Sequence, residues 1–418
     1  MRYYLYTLGC KVNQFESQAL DQLLAARGHT PVDSDADVII INTCAVTAES
    51  GRKSRNAIRH LKALHPRALT AVCGCYSQAE PDKTADIGAD IVFGTGNHTD
   101  FIEAIEDAVP CIFTDNPFER RCIEPLPAGA YAGRTRGLMR IQDGCHNFCT
   151  YCIIPHTRGR IRSQPIADAV KQAKALSAQG YKEIVITGIE IASYGRDLPD
   201  KPSLSDVLLR LSAAAPNVRF HLGSLEPTCI TEDFCRSLSR CENICRHFHL
   251  SLQAGCDSTL KRMNRKYDTR LFLEKCEMLR DFFPRCLLTA DVIVGFPGES
   301  EDDFMQSVRF MEQCKLGFVH VFPYSPRPGT PAASMPDQIT SEEKENRARR
   351  AIQTVKNLQQ DFLSACIGTT MSVLYETDCA GHSENYCYVE TAEKANRGEV
   401  QSVRITGCRD GILLGKRI

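Results

Sequence analysis

The sequence predicts an α/β protein in three parts: an N-terminal open parallel-sheet domain, a central partial (β/α)6 barrel and a small C-terminal β-barrel. Three observations carry this. Short apolar runs of strand length alternate with amphipathic helical stretches over most of the chain, the pattern of parallel sheets with helices on their faces. The alternation lapses once, in the Pro/Gly/Ala-rich text PLPAGAYAGRTRG. It ends in short β-type runs separated by Gly, Asn and Asp turns. The expected domains are 1–110, a linker over 111–137, then 138–362 and 363–418.

In the first part, Tyr3 to Leu8 reads as a strand and Val12 to Arg27 as a helix stopped by Gly28. Val38 to Ile41 is a second strand, Ala45 to Leu64 a basic helix ended by Pro66, and Leu69 to Val72 a third strand. Cys10, Cys44 and Cys75 each follow one of these strands by two or three residues. The carboxyl ends of parallel strands share one edge, with neighbours about 4.8 Å apart, so loops leaving them can bring three thiols together.

Beyond the linker, strand-like runs recur at Leu138 to Gln142, Glu183 to Gly188, Val218 to Leu222, His247 to Leu252, Leu287 to Gly295 and Leu316 to Phe322. Helical stretches separate them, among them Ala167 to Gln179, Leu204 to Ala213, Thr269 to Phe283 and Glu301 to Cys314. Six such units suggest a barrel left open, with its working face at the strands' carboxyl ends. Ser341 to Phe362 is a charged helix whose acids precede its bases, an order that complements the helix dipole. Met371 to Tyr375, Tyr386 to Glu390, Val400 to Ile405 and Ile412 to Leu414 are the strands of the tail.

Composition narrows the function classes. The 418 residues carry 50 Lys+Arg against 51 Asp+Glu, so no bulk polycation is available and any nucleic-acid footprint must be local. No apolar run approaches the roughly 18 residues of a membrane span, and no membrane partner is expected. The start, MRYYLYTLGCKVNQ, shows no cationic leader or cleavage site, so a cytoplasmic location is the expectation. Cysteines number 21, and in a chain this large without an export signal they read as thiols or metal ligands.

The strongest motif is GCHNFCTYC, which places Cys145, Cys149 and Cys152 on one loop after the first barrel strand. Three thiolates can hold three irons of a 4Fe-4S cluster and leave the fourth open. Structural zinc is the competing reading; it wants four closed ligands, and only His146 or His156 lies near enough to be a fourth. Cys73 competes with Cys75, but strand alternation turns Cys73 toward a sheet surface as a packed thiol, which favours Cys75. Asn13 and Asn42 lie close enough to donate hydrogen bonds to sulfur. The remaining cysteines, including Cys229, Cys235, Cys241 and Cys245, show no ligand spacing and read as small buried hydrophobes.

The C-x3-C-x2-C loop at the start of a partial barrel resembles the radical S-adenosylmethionine superfamily. Adding TLGCKVNQFES around Cys10, NTCAVT around Cys44 and GCYSQ around Cys75, the whole chain resembles the methylthiotransferase family, which joins this domain to a terminal TRAM domain. The resemblance implies two 4Fe-4S clusters with S-adenosylmethionine: one on Cys145, Cys149 and Cys152, the other on Cys10, Cys44 and Cys75, these six residues being the catalytic and metal-binding set. It implies that the first cluster reduces S-adenosylmethionine to a 5′-deoxyadenosyl radical that abstracts hydrogen, while the second presents a methylated sulfur to the carbon radical. Such chemistry lies beyond side-chain acid–base catalysis at neutral pH.

Cofactor contacts are expected at the strand ends. Gly188 and Glu190 follow the second barrel strand, where Glu190 stands in place of the Asn expected in this family; Ser224 and Glu226 follow the third, and Ser251 and Gln253 lie in HLSLQAG. The turn of DVIVGFPGE, Gly295 to Gly298, would let backbone approach a ligand. Lys11-Val12-Asn13-Gln14 resembles the subgroup acting on threonylcarbamoyladenosine next to the tRNA anticodon, with the isopentenyladenosine subgroup, the subgroup acting on a ribosomal-protein aspartate, and a non-catalytic metal-containing RNA-binding protein as alternatives. The implied partners are the tRNA anticodon stem-loop and an electron donor such as flavodoxin or ferredoxin. Arg134, Arg136, Arg140, Arg158, Arg160 and Arg162 bracket the cluster loop, and Arg52, Lys53, Arg55, Arg59 and Lys62 crowd the second helix; both groups are candidates for phosphate contact. From Cys366 onward six Lys/Arg face seven Asp/Glu, so the tail offers no basic surface, and Tyr386 or Tyr388 would have to bind RNA by stacking.

Overall fold

The structure, a computed structural model, describes residues 1–128 and 135–418. Residues 129–134 of the Pro/Gly/Ala-rich text, Arg134 among them, fall outside the described residues. The N-terminal sheet has six parallel strands in the order Thr30–Pro31, Arg2–Thr7, Val38–Thr43, Leu69–Gly74, Ile91–Phe93, Cys111–Phe113. Its centre is apolar on both faces. Val38 and Ile40 join Leu20 and Leu24 of the helix Lys11–Ala26, while Ile39 and Ile41 join Ile58 and Leu61 of the helix Ala48–Leu64. This two-sided burial explains why Val38–Thr43 reads as an unbroken apolar run. The last two strands are too short to stand out in the sequence, and Cys111–Phe113 extends the sheet into residues whose composition suggests linker.

The order matters for the site. The second strand in sequence pairs outside the first, and the third pairs on the first strand's other side. The direction of winding therefore reverses beside Arg2–Thr7, and such a reversal opens a crevice beyond the strands' carboxyl ends.

Six parallel strands make the central part: Arg136–Arg140, Glu183–Thr187, Arg219–Leu222, His247–Gln253, Leu287–Val294 and Phe318–Pro323. Bridges between Phe220 and Ile244 and between Leu225 and Leu250 join the two halves into one arc. No ladder closes Phe318–Pro323 onto Arg136–Arg140 among the described residues, so the barrel is open on one side. Helices Ile166–Ala178, Leu204–Ala214, Thr269–Phe282 and Glu301–Gln313 pack outside it, with Ser203 and Ser300 closing capping boxes at two of their starts.

The helix Ser341–Cys366 leads to a closed five-stranded barrel ordered Thr370–Tyr375, Ala380–Ser383, Tyr388–Thr391, Ile412–Arg417, Val400–Arg409. Ala380–Ser383 is the strand that its Gly/Ser/Asn-rich text disguises as a turn. This small barrel sits against the amino-terminal ends of the central strands. There Arg219 donates to the carbonyls of Ser372 and His382, each at 2.8 Å, and Arg136 Nη2 lies 2.5 Å from Glu376.

Candidate active site

Cys10, Cys44 and Cys75 emerge from three adjacent strands beside the winding reversal. Two glycines make the approach possible. A Cβ on Gly9 (φ +109°) would stand 2.9 Å from the Cys44 Cβ, and one on Gly74 (φ +104°) would stand 2.5 Å from Thr43 O. Asn13 and Asn42 donate to the loops and not to sulfur, though Asn13 Oδ1 accepts from the Cys10 thiol at 3.7 Å. Asn13 Nδ2 donates to Thr43 O (2.8 Å) and Leu8 O (3.0 Å), and Asn42 Nδ2 donates to Asn13 O (3.1 Å). The donor to sulfur is Arg158, whose Nε is 3.3 Å from Cys75 Sγ. Burial pushes the Cys75 thiol up, and the Arg158 charge opposes that shift. Cys10 caps the helix Lys11–Ala26, whose dipole favours a thiolate there, but burial pushes the Cys10 thiol up overall, with the Arg158 charge opposing that shift. Cys73 lies in the sheet core with Tyr3 and Val38.

Arg158 also corrects the reading of the arginine bracket. It is wholly buried, with Glu16 bound at Nη1 and Nη2 and Asn13 Oδ1 2.9 Å from Nη2. Arg140 and Arg162 are buried beside it, Arg140 Nη1 lying 3.3 Å from Glu16 and Arg162 Nη2 2.9 Å from Asp143. Burial opposes the charge on Asp143, but these three guanidiniums hold it below the usual carboxylate range. Arg136 is spent on Glu183 (2.7 Å) and Glu376. Arg136, Arg140 and Arg158 join domains, Arg162 braces the cluster loop, and none of them is free for phosphate. Arg160 remains exposed, as do Arg52, Lys53 and Arg59 on the second helix.

The second trio sits on the loop between Gln142–Asp143 and Arg162–Ser163, which pair antiparallel. Gly144, at φ +74°, has Arg160 O where a Cβ would go. Cys145 N donates to Gly159 O (3.1 Å), and Thr150 N to Met263 O (3.1 Å). Arg265 Nη1 donates to Cys149 Sγ at 3.1 Å. Burial pushes the thiols of Cys145 and Cys152 up to about 12, so a bound cation must displace their protons. His146 and His156 are exposed and pack edge-on against Phe148, at 5.4 and 6.0 Å.

Both trios suit a cluster. All six cysteines are free, and N–H groups already point at sulfur in each trio. A single zinc about 2.3 Å from each sulfur would draw three sulfurs tightly together. Among the described residues the one His/Cys/Asp/Glu group with ligating atoms within 4.8 Å is Glu183, His221 and Cys245, not either trio. That group is an ion-pair knot: Glu183 binds Arg136 at 2.7 Å and Arg219 at 2.6 Å.

The expected cofactor residues divide. Gly188 and Ser224 line a cavity of about 570 Å³ that Cys10 also lines, and Tyr386 and Tyr388 of the small barrel form another part of its wall. Glu190 and Glu226 stand near one another at the second and third strand ends. Burial first and the Glu226 charge second push Glu190 up to about 7. Glu226 lies 3.8 Å from Arg265, and Arg265 Nη2 reaches the carbonyl of Ser251 at 3.5 Å. Gln253 takes a left-handed φ of +65° where the fourth strand slips register on the fifth. Tyr386 is not a free stacking platform: it stacks on His247 at 4.9 Å and on His382 at 4.7 Å. Arg265, in the unremarkable text NRKYDT, carries no motif, and only the fold brings it to Cys149.

Two family models match the chain, the radical SAM superfamily over residues 139–311 and the uncharacterized protein family UPF0004 over residues 2–94. The threonylcarbamoyladenosine tRNA methylthiotransferase MtaB of Bacillus subtilis is 38% identical over 401 residues, covering 92% of this chain and 89% of its own. Its namesake from Thermotoga maritima is 32% identical, covering 98% and 97%. The chain belongs to the tRNA methylthiotransferase family. A tRNA-2-methylthio-N(6)-dimethylallyladenosine synthase from Syntrophomonas wolfei is 34% identical over 90% of this chain and 86% of its own. In fold, this methylthiotransferase is similar to the radical S-adenosylmethionine methyltransferase TsrM of Kitasatospora setae, with a TM-score of 0.60 and 14% identity over 85% of this chain and 89% of that one. As a radical SAM methylthiotransferase it works with S-adenosylmethionine and two 4Fe-4S clusters. No helix among the described residues is long and apolar enough to cross a membrane.

Proposed function

We propose that this enzyme converts threonylcarbamoyladenosine beside the tRNA anticodon to its 2-methylthio derivative, with Cys145, Cys149 and Cys152 holding one cluster and Cys10, Cys44 and Cys75 the other. When bound, the clusters and S-adenosylmethionine supply the adenosyl radical and the sulfur that side chains cannot. The observation that carries the reading is that Cys10, from the N-terminal sheet, and Gly188 and Ser224, from the barrel's carboxyl ends, line one cavity. A base seated there would lie beside Cys10 and the ends of the second and third barrel strands.

The chain's own residues then bind and orient. Arg265 holds Cys149 and, through the carbonyl of Ser251 and the carboxylate of Glu226, keeps the strand ends in place around the cluster loop. Glu190, raised toward neutrality, becomes a favourable acceptor once an ammonium such as that of S-adenosylmethionine approaches it. Ser224 and Gly188 border the cavity, and Gly188 has no room for a side chain: a Cβ would lie 2.8 Å from Gln142 O. Electrons come from a small donor such as flavodoxin or ferredoxin, and the enzyme works in the cytoplasm, where tRNA and reduced donors meet.

The threonylcarbamoyl substrate is favoured over the dimethylallyl one by the names of the relatives from B. subtilis and T. maritima and by Lys11-Val12-Asn13-Gln14 after Cys10. Mass spectrometry of tRNA nucleosides from a deletion strain tests it. The methylthio form of threonylcarbamoyladenosine should vanish while that of dimethylallyladenosine persists; the reverse pattern would refute the assignment.

A further inference from the structure

The cavity between the three parts has a histidine-rich wall, and most of these histidines are already engaged. His221 Nε2 meets His247 Nδ1 at 2.6 Å, and His247 Nε2 meets Thr289 Oγ1 at 2.8 Å. His249 Nδ1 meets the same hydroxyl at 2.8 Å, while its Nε2 lies 3.3 Å from Asp291. Two basic groups on the cavity wall are left over. Lys11 and His320 are both exposed, and among the described residues neither makes a side-chain hydrogen bond or an ion pair. The nearby carboxylates are committed elsewhere, Asp291 to His249 and Glu183 to Arg136 and Arg219. An unpaired ammonium and a free imidazole on one cavity wall form a site short of an anion.

We propose that Lys11 Nζ and the His320 ring receive the carboxylate of the threonylcarbamoyl substituent, and thereby select a charged N6 group over an apolar one. This deepens the proposed function and rests on it. The two substituents named among the relatives differ in the needed way: threonylcarbamoyl ends in a carboxylate, whereas dimethylallyl is a five-carbon hydrocarbon. A hydrocarbon packed against Lys11 would strip water from the ammonium and return no partner. A carboxylate completes the site with charge-assisted hydrogen bonds. Lys11 directly follows Cys10, so a substituent anchored at Lys11 keeps its base beside a residue of the N-terminal trio.

The test uses the full chain, loaded with its clusters anaerobically, and synthetic anticodon stem-loops carrying either threonylcarbamoyladenosine or its neutral threonine carboxamide. Fluorescence anisotropy should show the parent binding the carboxamide roughly tenfold to hundredfold more weakly, the range of a lost hydrogen bond to a charged group. Lys11→Met and His320→Asn should each weaken binding of the carboxylate form and leave the carboxamide form unchanged, at the parent's iron content. Equal affinity of the parent for both stem-loops would overturn the inference, as would variants that weaken both forms alike. Should Lys11→Met lose iron, the parent comparison and His320→Asn decide alone. Failure of the underlying reading looks different: the dimethylallyl stem-loop would be converted and the threonylcarbamoyl one would not.

Discussion

Replacing Arg158 by Met removes the cation at the centre of the contact between the N-terminal sheet and the cluster loop. The guanidinium is wholly buried and holds Glu16 through two nitrogens, Asn13 at 2.9 Å and Cys75 Sγ at 3.3 Å. Breaking one partner of a buried pair typically costs about 3–5 kcal/mol. Arg140 still stands 3.3 Å from Glu16, and Arg162 stands 2.9 Å from Asp143, so the lower end, about 3 kcal/mol, applies. At about 1.4 kcal/mol per tenfold, this corresponds to amide exchange roughly a hundredfold faster in the helix Lys11–Ala26. Hydrogen–deuterium exchange of that helix is the assay. Arg158→Met combined with Glu16→Met should recover most of the loss, because it removes the stranded charge as well. A change below about threefold in the single variant, or no recovery in the double, would refute the interdomain role.

Three further outcomes follow from the same geometry. Cys149→Ala should abolish formation of 5′-deoxyadenosine from S-adenosylmethionine, whereas Cys44→Ala should retain part of it and lose the thiomethyl product; identical failure of both with both clusters assembled would refute the division of labour. Glu190, raised to about 7, binds a proton in the folded state that the unfolded chain has released, so its contribution is present below about pH 4.5 and is lost as pH rises through 7. Glu190→Gln should therefore match the parent near pH 4.5 and, without S-adenosylmethionine, be more stable at pH 8 by at most about 3 kcal/mol in urea denaturation. Arg219→Ala should loosen the small barrel, seen as faster proteolysis after residue 366 with the central barrel intact, since it removes both 2.8 Å bonds to Ser372 and His382.

Much of this was legible in the sequence because it rests on period and spacing. Val38 to Ile41 announces a strand buried on both faces, and cysteines just beyond three strands announce convergence at one edge. The C-x3-C-x2-C loop needs no fold to be read. What stayed hidden depends on long-range pairing. Ile91–Phe93 and Cys111–Phe113 have only three residues each and owe their strand character to neighbours. Arg140, Arg158 and Arg162 read as a basic patch because sequence shows charge but not Glu16, more than a hundred residues away, or Asp143 buried among them. Tyr386 looks like a ring available to RNA until the fold stacks it on His247 and His382. Arg265 reaches Cys149 across 116 residues, a contact that no local motif encodes.

An iron-edge anomalous difference map from anaerobically grown crystals probes the two-site architecture at its root. It should show two separate sets of iron, about four atoms each, one against Cys145, Cys149 and Cys152 and one against Cys10, Cys44 and Cys75, both opening on the chamber bordered by Gly188 and Ser224. Iron at only one trio, or two sets opening on separate outer surfaces, would contradict it.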